Sequence, residues 1–224
     1  MDYIKKHRKI ILCAISIIVF VIILRRVLID EITFYDVDAY NLLVGTLRSD
    51  VLTVIMKFFT FLCSVEVLSI ICIATFIFSK DKMKASLISI NLLINFLLNN
   101  LVKIIIRRPR PMGYRLIEES GFSFPSGHSM VSMAFYGYLM YLIYKNDKVI
   151  WRRNLLLVLL GTIIICIGIS RVYLGVHYAS DVLAGFFLSI AYLMLFIIFF
   201  PRIINYIEEG RKNGKKEEEK KKAK

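Results

Sequence analysis

A chain of 224 residues that is 58% hydrophobic carries more apolar content than a soluble domain of its size, and the excess is gathered into long runs parted by short charged clusters. A net charge of +13 would raise nucleic acid as a partner of a soluble protein, but here much of the basic charge flanks apolar runs, where it sets orientation in a bilayer. Cys13, Cys63, Cys72 and Cys166 all lie inside apolar runs, with no C-x-x-C pair and no neighbouring histidine, so neither a disulfide framework nor a zinc site is supported.

The first apolar run, residues 10–24, follows a basic start (Lys5, Lys6, Arg8, Lys9). No small-residue cleavage site comes after it, so it reads as an uncleaved helix reaching Ile29, with Arg25 and Arg26 snorkelling. Residues 32–57 mix apolar and polar side chains and are expected to lie along the outer surface. Five further runs follow at 58–79, 85–106, 126–144, 155–170 and 182–200, each near the length that crosses a hydrocarbon layer of about 30 Å. Glu66, the only charge inside the second run, is expected to find a structural partner.

The fold class that follows is all-α, a six-transmembrane helical bundle over residues 10–200. It sits between a cytoplasmic N-terminus (1–9) and a charged cytoplasmic tail (201–224) whose composition predicts disorder. An even number of spans puts both termini on one side. Most of the 30 Lys and Arg residues fall on that side too, which makes it the cytoplasm.

On this topology, three polar clusters collect at the outer ends of the third to sixth helices. The third helix carries Asn91, Asn95, Asn99 and Lys103 at four-residue spacing, a stripe expected to face the bundle interior. It ends in Arg107-Arg108-Pro109-Arg110-Pro111. Before the fourth helix stands Pro125-Ser126-Gly127-His128, which joins a helix-opening proline, a glycine that permits close backbone approach and N–H groups that attract anions. Between the fifth and sixth helices lie Ser170-Arg171 and then His177 and Asp181, whose spacing of four would put them on one face of a helix. A carboxylate there can hold one imidazole nitrogen protonated and leave the other free as nucleophile or base. His7, the remaining histidine, sits in the basic N-terminus and reads as solvated. Two histidines, an aspartate and several fixed cations suit a phosphoryl group, and no carboxylate cluster suggests a magnesium site.

These clusters resemble, in order and spacing, the signature of the type 2 phosphatidate phosphatase superfamily, which also holds vanadium haloperoxidases and bacterial lipid phosphatases. Lys103 to Arg110-Pro111 fits K-x6-R-P, Pro125 to His128 fits P-S-G-H, and Ser170-Arg171 to His177 and Asp181 fits S-R-x5-H-x3-D. The likeness covers roughly residues 91–185. It implies that His177 forms a phosphohistidine oriented by Asp181 and that His128 protonates the leaving group. Lys103, Arg110, Ser126, Gly127 and Arg171 would bind phosphate, with no metal or other cofactor. Arg108, out of register with that signature, is expected to snorkel. The implied partners are a lipid phosphate and membrane lipids, without nucleic acid or an obligate protein partner. The expected activity is hydrolysis of undecaprenyl diphosphate at an outward-facing site, with Arg107, Arg108 and Arg115 available to an inner phosphate. Phosphatidylglycerophosphate and phosphatidate are the alternatives. A haloperoxidase is disfavoured by the six spans, and an anion channel by the His177–Asp181 pairing it would not need.

Overall fold

Apolar segments that must satisfy every backbone N–H and C=O without water fold as helices. The computed structural model describes residues 2–113 and 115–222, and all regular elements among them are helical. They are α1 (Asp2–Asp30), α2 (Phe34–Tyr40) leading into a π-helical turn at Asn41–Thr46, α3 (Asp50–Phe61), α4 (Val65–Phe78), α5 (Lys82–Ile106), α6 (Gly127–Asn146), α7 (Ile150–Tyr173) and α8 (Ala179–Lys222).

Among the described residues, four helical stretches are long and apolar enough to cross a membrane: His7–Asp30, Ala85–Ile106, Ile150–Tyr173 and Ala179–Phe200. The pair α3 and α4, bent by 44°, makes a fifth if it counts as one broken span. The sequence suggests a single helix over 58–79, but the chain breaks at 62–64, where Ser64 Oγ accepts from Val67 N–H at 3.4 Å and starts α4 anew. Helix α3 begins well before residue 58, capped by Ser49, and packs on α7. Much of the segment expected on the outer surface is therefore helix. Glu66 lies exposed in the first turn of α4, where a negative charge favours the helix N-terminus.

Helix α6, expected as a span, falls outside the apolar set. It is the central helix, packed against α5, α7 and α8, with Ser129, Ser132, Tyr136 and Tyr138 buried. A helix enclosed by protein presents little surface to lipid and tolerates this polarity. Phe135 and Tyr138 meet Ile167 of α7, Phe196 of α8 and Leu87 of α5 in the main apolar cluster, while α1 runs along α8. The α5 stripe faces inward: Asn91 donates to the Ala134 carbonyl (2.7 Å), Asn95 to Ser189 Oγ (3.0 Å) and Asn99 to the Pro125 carbonyl (3.1 Å). The tail, expected to be disordered, continues α8 as helix to Lys222.

One contact fixes how α8 meets the start of α6. A Cβ added at Gly185 would lie 2.9 Å from the Ser126 carbonyl oxygen and 3.0 Å from Ser129 Cβ, so only glycine lets the two elements approach this closely. Gly161 of α7 has no such neighbour within 4 Å. Thermal unfolding in detergent micelles checks this: Gly185→Ala should destabilise by about 1–3 kcal/mol, and Gly161→Ala should stabilise by up to about 1 kcal/mol.

Candidate active site

The ends of α5, α6, α7 and α8 that carry the three clusters converge, and the loop 107–126 folds across them. At the close of α7, Gly175 adopts a left-handed φ of 76°, turning the chain so that His177 lies before α8 rather than on it. Asp181 occupies the first turn of α8. The two side chains thus meet across a helix start and not along one helix face. His177 Nδ1 stands 3.4 Å from Asp181 Oδ2 and 3.3 Å from Ser123 Oγ. The same Asp181 oxygen accepts from the Ser123 hydroxyl and from Tyr178 N–H (2.9 Å).

On the other side of the ring, Arg110 Nη1 lies 3.0 Å from His177 Nε2. A guanidinium only donates, so Nε2 must be the acceptor and the ring proton must sit on Nδ1, toward Asp181. Burial lowers the His177 pKa to about 4; Asp181 opposes that shift, while Arg171 and Arg110 reinforce it. The imidazole is therefore neutral at ordinary pH, with its lone pair directed toward cations.

Arg110 is held by the carbonyls of Ser120 (2.9 Å), Gly121 (3.1 Å) and Val176 (3.0 Å). Lys103 donates to the Phe122 carbonyl at 2.9 Å. Arg171, wholly buried, donates to Thr60 Oγ1 at 3.3 Å and pairs with Glu119. Glu119 also lies 3.7 Å from Arg110, so its carboxylate bridges two of the cations expected to take phosphate. Burial alone would raise the Glu119 pKa, but Arg171 and Arg110 outweigh it and hold the carboxyl below its usual range.

Gly127 opens α6, and a Cβ there would meet Asn99 Oδ1 at 3.2 Å. Ser126 is fully buried, and its hydroxyl oxygen accepts from Ser129 N–H (3.4 Å) and Ser129 Oγ–H (3.0 Å) as the N-cap of α6. His128, with Lys103, Arg110 and Glu119, lines the inner end of a groove of about 620 Å³ between α4 and α5. Its outer walls are Val65, Leu68, Ile73, Leu92, Leu93 and Phe96.

Arg108 does not snorkel. It is 3% exposed and donates to Asp181 Oδ1 (2.6 Å), Asp36 Oδ2 (2.9 Å) and Ser180 Oγ (2.8 Å), with its guanidinium 4.1 Å from the centre of the Tyr178 ring. Asp36, from α2, also accepts from Ser180 N–H and Oγ–H, both at 2.8 Å. Asp36, Ser123 and Glu119 carry no motif signal in the sequence. For Asp36, the visible cue is an acidic residue three positions after Thr33, a capping spacing that the structure uses through Thr33 N–H to Asp36 Oδ2 at 3.1 Å.

The sequence pattern of the PAP2 superfamily matches residues 84–205, which include every motif residue but not Asp36. Phosphatidylglycerophosphatase B of Bacillus subtilis is 42% identical over 103 residues, 46% of this chain and 50% of that protein. Dolichyldiphosphatase of Saccharomyces cerevisiae is 29% identical over 118 residues, 50% of this chain and 49% of that protein. The chain thus spans about half the length of these curated relatives. The crystal structure of a transmembrane PAP2-type phosphatidylglycerolphosphate phosphatase from Bacillus subtilis superposes with a TM-score of 0.76 at 30% identity, covering 85% of this chain and 96% of that one.

A tetrahedral oxyanion bound at Arg171 and Arg110, as the sequence leads one to expect, would have to displace the Glu119 carboxylate from them. Glu119→Gln should therefore bind inorganic phosphate about 3–30-fold more tightly than the parent chain when both are titrated by calorimetry in micelles.

Proposed function

The chain belongs to the PAP2 superfamily, and from that premise we propose that it is a membrane lipid phosphatase in which His177 attacks phosphorus. The observation that carries this reading is a neutral His177 whose Nε2 faces Arg110, which itself lines the inner end of an apolar groove together with Lys103 and His128. A phosphate group drawn to Lys103, Arg110 and Arg171 takes over the charge that Glu119 now supplies. The freed Nε2 lone pair then forms the N–P bond as the P–O bond to the lipid breaks. His128 gives its proton to the leaving oxygen and recovers one from the water that cleaves the phosphohistidine, so inorganic phosphate leaves and His177 returns neutral. Asp181 accepts from Nδ1–H throughout and offsets the positive charge that grows on the ring. The Gly127 N–H is the proposed backbone ligand at the start of α6. The Ser126 hydroxyl contributes by capping α6. No step in this scheme calls for a metal.

Phosphatidylglycerophosphate now stands ahead of undecaprenyl diphosphate as substrate. The relatives named above favour it, and two arginines reserved for an inner phosphate are engaged elsewhere. Arg108 is buried against Asp36 and Asp181, and Arg115 folds back on the Pro111 carbonyl. The likeness to a dolichyldiphosphatase keeps the diphosphate as the second reading. Both are amphiphiles, as the α4–α5 groove demands.

For topology, we take α3–α4 as one broken span and α6 as the enclosed one, which completes six crossings. Both termini are then cytoplasmic, with the catalytic ends outside.

His177→Ala should lose at least about 10⁴-fold in kcat while His128→Ala loses less, and chelators should leave activity intact. Phosphate release from phosphatidylglycerophosphate, undecaprenyl diphosphate and phosphatidate in micelles tests this and ranks the substrates by kcat/KM. Full activity in His177→Ala would end the mechanism.

Because His177 must be neutral to attack, the acid limb of the kcat/KM profile should lie near pH 4 rather than at the ordinary 6.5 of histidine, and any fall at higher pH should report loss of the His128 proton. A pH profile with an acid limb near 6.5 would contradict the buried neutral imidazole.

For orientation, a cysteine replacing exposed Met112 should react with an impermeant thiol reagent on intact cells, and one replacing Asn146 should not. The opposite labelling would turn the site inward.

A further inference from the structure

We propose that Asp36 is a positioning residue for the reaction, acting through Arg108 on the Asp181 that orients His177. The inference rests on the phosphatase reading for its kinetic consequence, but its geometry stands apart from it. Asp36 is 1% exposed, comes from α2, and lies outside the segment 84–205 that matches the family. Its carboxylate has three anchors besides Arg108: Thr33 N–H at 3.1 Å, and the N–H of Ser180 at the start of α8 and the Ser180 hydroxyl, each at 2.8 Å. Arg108 then hands the same planar fork to both carboxylates, Nη2 to Asp36 at 2.9 Å and Nη1 to Asp181 at 2.6 Å. Tyr178 lies against the guanidinium at 4.1 Å and limits its rotation. With Asp181 Oδ1 fixed by Arg108, Oδ2 is left to face Ser123, Tyr178 N–H and His177 Nδ1.

Charge gives this arrangement a second effect. Two carboxylates share one guanidinium, so the cluster carries one surplus negative charge beside the imidazole. When Nε2 bonds to phosphorus, the ring gains positive charge, and that surplus offsets it. Without the Asp36 charge, Arg108 would be matched by Asp181 alone, and the ring would lose the compensation.

The test uses the full chain in micelles as wild type, Asp36→Asn, Asp181→Asn and the double variant. In Asp36→Asn, kcat should fall about 10–100-fold with KM within about twofold, as for outer partners of other positioned imidazoles. The same change made in Asp181→Asn should cost nothing further. Fully multiplicative losses would assign Asp36 to the fold alone and overturn the proposal.

A second arm needs no turnover. With only three histidines, the ¹⁵N imidazole spectrum can be assigned by replacing His7 and His128. His177 should show the Nδ1–H tautomer in the wild type, and in Asp36→Asn, where Arg110 still holds that tautomer, the Nδ1–H resonance should shift as its bond to Asp181 changes. An unchanged spectrum overturns the inference even if lipid phosphates are cleaved. A changed spectrum in a chain that cleaves none sustains it and removes only the phosphatase reading. Should Asp36→Asn not fold, Ser180→Ala removes the bridging hydroxyl and keeps every charge. It should lower kcat by about 3–10-fold and shift the same imidazole signal, and no effect on either would overturn the proposal.

Discussion

Charge buried at the end of a helix bundle has to be paired where it stands, and the catalytic end of this protein is organised by that requirement. Arg171, Asp181 and Asp36 are at most 1% exposed, and Arg108 is 3% exposed. Each would carry a desolvation penalty of several kcal/mol if left alone. The pairings that offset it join segments far apart in sequence: α2, the loop after α5 and the first turn of α8 meet at Arg108, while the same loop reaches α7 through Glu119. Remove Arg108 or Glu119 and a buried ion loses its partner, so the loops have little freedom to wander. Rigidity at the catalytic end follows from electrostatics as much as from apolar packing.

The arrangement is polar across the imidazole. One edge of His177 faces the carboxylate of Asp181, and the other faces Arg110 with Arg171 behind it. Such a gradient fixes the tautomer without any titration and aims the lone pair at the place where an anion is stabilised. The Asn91–Asn95–Asn99 ladder extends the same logic down the bundle. It spends side-chain amides on the backbone and hydroxyl groups of α6 and α8, so the helices that carry the catalytic ends are held in register by bonds as well as by shape.

The motifs at 103–111, 125–128 and 170–181 were legible because residue type, order and spacing all pointed to one chemistry. The inward stripe of α5 was legible from its period. The broken span was not: 58–79 is a mostly apolar sequence without proline or glycine, and the break is marked only by Ser64, which looks like any serine until it caps a helix. Arg108 was misread because an arginine beside a proline at a helix end reads the same whether it faces headgroups or protein, and what decides is Asp36, 72 positions away. Asp36, Ser123 and Glu119 sit in irregular or short segments where no period exposes them. The polarity of α6 was equally ambiguous, since a helix walled in by protein and a weak membrane span share a composition.

The groove between α4 and α5 sets the terms on which a substrate is met. Its walls include Val65, Ile73, Leu93 and Phe96, all also exposed on the outside of the bundle, so on the proposed reading a lipid phosphate would enter it from the bilayer side. A molecule that arrives this way diffuses in two dimensions. The concentration that governs its capture is then its mole fraction in the surrounding leaflet, not moles per litre of buffer. For the proposed lipid phosphate, diluting it with inert detergent at constant bulk concentration would slow the reaction as surely as removing it.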